Sequence, residues 1–481
     1  MKQNLDAVLL SLACCILVLS IGCEVTDYEP LMAKQQAKQD AGNNSQLAIG
    51  GGQINSLMPG NGANKGTAAG TGKQQIAVPP RPAIDQIALA TKLSNKGVYV
   101  GVDDSEQRIV ELDFTDTPFS NDDLREASDL PDLKTLTISG VNCDQETFEI
   151  IGRIAPLQHL EIPMSPATPE ALAQLTGLKK LRFLQLFRAD VNDAGFAELA
   201  KIEGLQQIRC AQTRVSNKAL QNISRLKSLK ALDLSDCNLV TNDGLVHLTA
   251  LPDLRFLKVW GPGITDEGME QIGKMESLNV LGLNDTGVTD AGMASLATLS
   301  NLREIHLFRV GVGDAGVKVL ANLPAMQLFN LRDTKISDES ISHLSQRDDL
   351  VSLDLSETQS PGITDAGGQM LSRFTNLKRL NLWDTNVSDR SVVQIAKLQN
   401  ITWLNLDKTD ITDAAIEDVA KLPNLTWLHL GSTSLTDKCV ETLKSLEKLQ
   451  YLNVSNTQMS QDKFFELFDQ LSAGGCEVVG P

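Results

Sequence analysis

Large rings are scarce in this chain: 481 residues hold four Trp, three Tyr and thirteen Phe, so the place each ring takes carries information. Positive charge is in deficit too. Lys and Arg number 43 against 60 Asp and Glu, a formal net charge of −17. Phosphate backbones and anionic lipid head groups would be repelled, which excludes a nucleic-acid or lipid-binding surface and leaves the acid to keep a large surface soluble. Beyond Cys14, Cys15 and Cys23, the cysteines are Cys143, Cys210, Cys237, Cys439 and Cys476, with no CxxC and no Cys/His cluster. That spacing offers no zinc site, and an odd number gives no complete disulfide framework; a Cys439 to Cys476 bridge stays open. Five His are scattered, none beside a nucleophile and carboxylate arrangement, and no Gly-rich phosphate loop follows a strand. The expectation is a protein without catalytic residues, metal or cofactor.

What is present begins with an apolar run, "AVLLSLACCILVLSI" from Ala7 to Ile21, followed by Gly22 and Cys23. The run is too short for a comfortable membrane span and suits a secretory signal over residues 1–22. "LSIGC" resembles a bacterial lipoprotein signal. That resemblance implies lipidation of Cys23 and a membrane-anchored protein on the periplasmic or cell-surface side, the anchor being its only membrane contact; an ordinary cleaved signal is the alternative. Residues 23–81 turn to Gln, Ala, Gly, Asn and Ser, as in "GGGQINSLMPGNGANKGTAAGTGKQQ", the composition of a flexible tether. Its root-mean-square span is on the order of 40 Å.

The rest repeats. Aligned on the first apolar residue of L-x-x-L-x-L, fifteen units begin at Ile109, Leu133, Leu157, Leu181, Leu205, Leu229, Leu254, Leu278, Leu302, Met326, Leu350, Leu377, Ile401, Leu425 and Leu449. Each spacing is 24 except 25 before Leu254 and 27 before Leu377, where Ser360 to Gly362 mark an insertion. The unit L-x-x-L-x-L-x-x-T-x-[IV]-[ST]-D, as in "LNVLGLNDTGVTD" from Leu278, resembles the leucine-rich repeat family and its short cysteine-containing subclass, with Thr usually replacing the Asn or Cys of the ninth position. The resemblance implies an α/β solenoid, a curved horseshoe with a parallel sheet on the concave face and short helices on the convex face. The periodicities agree: the fourth and sixth strand positions point inward, and Met293, Leu296 and Leu299 have helical spacing. Strands about 4.8 Å apart and helices needing about 8–10 Å make the array curve with the sheet inside. Residues 82–108 read as an N-terminal cap of helix and hairpin, 109–460 as the repeats, and 461–481 as a C-terminal cap in which Phe464, Phe465 and Phe468 cover the last repeat.

A recurring Asp (Asp193, Asp266, Asp290, Asp314, Asp338, Asp365, Asp389, Asp413, Asp437) suggests a calcium ladder, but the preceding column decides against it. Those positions, from Ser120 to Ser460, are all residues favoured at a helix N-cap, and Asp at the first helical position complements the helix dipole.

The third, fifth and seventh strand positions face the concave side. All four Trp fall there: Trp403 and Trp427 in the third position, Trp260 and Trp383 in the seventh. Random placement would achieve this about once in four thousand, although strand preference for aromatics narrows the odds. Arg379, Trp403, Trp427 and Tyr451 form one row; Asn381, Asn405, His429 and Asn453 a second; Phe308 shares the seventh position, and His306 lies on the outward face of its strand. Ring contact with amide hydrogen bonding suits a protein or peptide partner. A glycan-binding or adhesion protein using the same face is the alternative, a hydrolase a more distant one, and rings that merely pack on one another the structural one.

Overall fold

The computed structural model describes residues 85–480 except 104–106, 116 and 360–361. The expected signal and tether, Cys23 included, lie outside the described residues, as do the turn at 104–106 and most of the Ser360–Gly362 insertion.

Apolar residues at the first, fourth and sixth positions of a unit need cover that one coil cannot give. Leu278, Leu281 and Leu283 lie fully buried with Met293, Leu296 and Leu299 of the same coil, inside one core that continues through successive coils. Among the described residues, seventeen strands form one sheet. Tyr99–Val102 runs antiparallel to Ile109–Phe114, and from there to Glu477–Val479 each strand pairs parallel with the next, a helix returning the chain between them. This is a curved solenoid. The irregular units keep register, Ala231 opposite Phe256 and Ser352 opposite Arg379, so their extra residues are taken up outside the strands.

From the unit that begins at Leu157 onward, the repeat strands leave the sheet by one recurring turn, whereas the unit before it turns through the short 3-10 helix Gly140–Asn142. The eighth position is left-handed, and twelve non-glycine residues hold φ between 50° and 58°, among them Met164, Arg188, Glu357 and Lys408. At the ninth, the Thr hydroxyl donates to the carbonyl three residues back, as Thr286 does to Leu283 (2.7 Å) and Thr409 to Leu406 (2.6 Å). A buried Thr thus ties the turn to its own strand.

The capping column stands at helix N-termini throughout. Side chains accept a backbone N–H at every one of these positions except Thr241, Thr265 and Gly313. The Asp that follows serves the next coil. Asp266 accepts from the Thr289 N–H and hydroxyl (both 2.7 Å) and the Gly292 N–H (3.0 Å). Asp314, Asp365, Asp389, Asp413 and Asp437 reach the following cap in the same way. Where Asn replaces Asp, at Asn217 and Asn242, the amide donates to the Thr hydroxyl instead, and that hydroxyl no longer caps its own helix. These carboxylates are inter-coil acceptors, not free ligands.

Each end has its own cover, and the C-terminal one departs from expectation. Helix Gln86–Asn95 covers the first coil with Leu89 and Leu93. At the other end, helix Gln461–Ala473 buries Leu467 and Leu471, with Phe464 partly covered, whereas Phe465 and Phe468 are 57% and 40% exposed. Leu467 and Leu471, four residues apart, take the inward stripe, and the helical rotation turns Phe465 and Phe468 away from it. Beyond the helix, Glu477–Val479 pairs parallel with Tyr451–Asn453 and adds a strand that the period did not mark. Cys439 and Cys476 are separately buried free thiols, so the possible bridge is not formed.

Candidate functional site

Parallel register sets Arg379, Trp403, Trp427 and Tyr451 side by side on four neighbouring strands. The strand spacing of about 4.8 Å is close to the separation of stacked rings, so flat side chains in one row stack along the sheet. Trp403 and Trp427 lie 4.3 Å apart at 11°, and Trp427 and Tyr451 4.8 Å apart at 5°. The Arg379 guanidinium carbon stands 4.8 Å from the Trp403 ring centre. All four are half-buried. Both Trp rings have their two faces occupied by row neighbours, so what they offer outward is edges.

The second row is tied down at its acceptor ends, a correction to the expectation that it stands ready for a ligand. The Oδ1 atoms of Asn381, Asn405 and Asn453 accept from the N–H groups of Trp383 (3.2 Å), Asp407 (3.0 Å) and Ser455 (2.8 Å). His429 Nδ1 accepts from Gly431 N–H at 3.2 Å. An extended strand turning out of the sheet leaves that N–H unpaired, and a short polar side chain two residues back reaches it. The amide of Asn453 donates to Tyr451 Oη and that of Asn381 to Ser356 Oγ; among the described residues that of Asn405 has no partner.

Asp407 closes on this floor, its Oδ1 3.9 Å from His429 Nδ1. Burial lowers the His429 pKa against the opposing pull of Asp407, and burial raises that of Asp407 against the pull of His429. Glycine is needed between them, because a Cβ at Gly431 would stand 2.8 Å from His429 Cε1 and 3.0 Å from Asp407 Oδ1.

The seventh positions form a further cluster. The Arg332 guanidinium carbon lies 4.8 Å from the Phe308 ring and 4.7 Å from that of Trp383, while its Nε donates to Glu357 at 2.6 Å. Between them stands the small Ser356, in the turn that follows strand Ser352–Asp354. Sequence reasoning missed Arg332 and Asp407, although the register that picked out Phe308 and Trp383 passes through both. Trp260 stands apart from these rows, beside Lys258 and Gly282. His306 departs from expectation: it is 8% exposed and engages Glu304 at 2.6 Å, because its same-strand neighbour two residues away shares its face.

No group of three or more His, Cys, Asp or Glu able to hold a metal occurs among the described residues. Burial pushes the Cys143 and Cys439 thiols up to about 12, which leaves them inert as nucleophiles.

A family model described as a leucine-rich repeat region matches residues 207–473. No curated protein matches the sequence. Among solved structures, a Listeria monocytogenes internalin is 16% identical, covering 82% of this chain and 93% of its own at a TM-score of 0.44. A Leptospira interrogans leucine-rich repeat protein is 18% identical, covering 73% and 91% at 0.47. The leucine-rich repeat ectodomain of an Arabidopsis receptor kinase, solved with a peptide hormone, is 16% identical, covering 82% and 78% at 0.43.

Proposed function

We propose, for a chain that belongs to the leucine-rich repeat family, that it is a non-catalytic binding protein whose partner is another protein held on the concave face. Proteins of this family commonly mediate protein–protein binding. The observation that carries the reading is the half-buried stack of Arg379, Trp403, Trp427 and Tyr451 across four strands. Trp, Tyr and Arg are the residue types on which binding energy concentrates in protein interfaces. Trp383 and Phe308 extend the apolar area, and the amide of Asn405, without a partner among the described residues, supplies a directed contact. A glycan stacking on the Trp faces finds those faces taken, which favours a protein whose side chains pack against ring edges. The reading includes export and a lipid on Cys23 that holds the protein at a bacterial membrane.

Crosslinking from positions around the ring column in the native cell, followed by identification of the captured species, tests this. A protein captured by the intact column and lost with Trp403→Ala and Trp427→Ala supports it. Capture that ignores both substitutions places the partner elsewhere.

A further inference from the structure

We propose that Lys258, Trp260 and Gly282 form a separate subsite on the concave face that takes a carboxylate carried on an apolar frame. Lys258 occupies the fifth position of the strand Phe256–Val259 and is only 9% exposed. Among the described residues no carboxylate lies within ion-pair distance of its Nζ; its contacts are two rings, Phe256 at 5.3 Å and Trp260 at 5.7 Å. Asp233, opposite it in register, gives one oxygen, Oδ1, to the N–H and hydroxyl of Ser235 and makes no direct ion pair with Lys258. Neighbouring side chains cover the Lys258 stem, and the ring faces of Phe256 and Trp260 stand beside its ammonium where a direct ion pair would otherwise be.

Beside it is a second donor without an acceptor. Trp260 Nε1 is the one buried side-chain nitrogen or oxygen without a hydrogen-bond partner among the described residues. Both side chains lean over Gly282: a Cβ there would stand 2.8 Å from Lys258 Cγ and 3.2 Å from Trp260 Nε1. A cation without a direct ion pair among the described residues and an adjacent neutral N–H without an acceptor match the two oxygens and single charge of a carboxylate, which enters above Gly282 as the Lys258 stem lifts. Phe256 and the Trp260 ring then frame the carbon skeleton. One cation with one neutral donor suits a monoanion better than a phosphate dianion, which needs more donors. The repeat pattern alone does not create this arrangement, since it needs Gly at one fifth position beside Lys at the previous one.

The proposal rests on the concave face being the binding surface, but its test needs no partner. Calorimetric titration of the whole chain with phenylacetate should give saturable binding, with phenylacetamide and inorganic phosphate giving little. Lys258→Met and Gly282→Ala should each weaken phenylacetate at least ten-fold with the circular dichroism spectrum unchanged, and Lys258→Arg should retain it. N-acetyl-phenylalanine and N-acetyl-aspartyl-phenylalaninamide distinguish a chain terminus from an acidic side chain as the source, and preference for either upholds the site. Absence of saturable carboxylate binding, equal binding of phenylacetamide or phosphate, or unchanged affinity in Lys258→Met overturns it, and leaves the crosslinking test of the ring column untouched.

Discussion

Trp427 is held between two rings, Trp403 on one side and Tyr451 on the other, while Trp403 lies between a ring and the Arg379 guanidinium. Each ring pair is worth about 0.5–1.5 kcal/mol beyond burial, so Trp427→Ala should lose about 1–3 kcal/mol of unfolding free energy, and more than Trp403→Ala. Both should also weaken the partner by about 1 kcal/mol or more if the column is the anchor. Denaturant unfolding and affinity measured on the same variants separate the two roles; a stability loss with affinity unchanged returns the column to a packing device. A second test lies at the left-handed turn. Met164 holds φ 57° and is 46% exposed, a conformation that Asn tolerates better than Met. Met164→Asn should therefore stabilise by up to about 1 kcal/mol, and Met164→Val should destabilise. The sequence marked this position only as unspecified, because its chemistry varies while its backbone angle does not.

At the scale of the element, helix starts such as those at Thr289, Ser337, Ser388 and Thr412 are built by two coils: a cap hydroxyl from their own coil and a carboxylate from the coil before. Thr289→Ala removes both the bond to Ala291 N–H and the donor to Asp266, and should cost about 0.5–2 kcal/mol in denaturant unfolding. Asp290→Asn should stay within about 0.5 kcal/mol, since Oδ1 alone accepts from Gly313 and Gly316 and an amide oxygen can do the same. Added calcium should move neither midpoint. The pH dependence follows from Asp314 and Asp365. Burial raises both pKa values, but the N–H and hydroxyl donors of Ser337 and Ser340 at Asp314, and those of Ser388 with the Ser391 hydroxyl at Asp365, outweigh it and leave both lowered. A folded pKa below the unfolded value, about 3.9, gives stability that is present above that value and lost as pH falls through the folded one. Unfolding midpoints should thus hold steady near neutrality and fall below about pH 4, and Asp314→Asn should flatten part of that fall. The capping column was legible because N-caps demand few residue types. The carboxylate's reach into the next coil was not, because the partner stands 23 residues away.

For the whole molecule, the expectation that concerns location is the lipid anchor. Cys23→Ala should abolish acylation and move the protein out of the membrane fraction, read by fractionation and mass spectrometry. A salt-washed variant that stays membrane-bound, together with a lipid-free normal form, would refute the anchor.

The 24-residue period determined the solenoid, its helix starts and the face on which each ring stands, because strand alternation and helical spacing are local properties that a repeated sequence writes many times. Tertiary structure decided what those faces contain. Only packing across coils stacks Trp403 on Trp427 and so turns ring faces into ring edges, and the His306 and Glu304 pair lies buried between two neighbouring strands. The same holds at the C-terminal end. A single helix with no repeat to average over gave Phe465 and Phe468 as cover, and the inward stripe went to Leu467 and Leu471, the side chains whose helical phase meets the last coil.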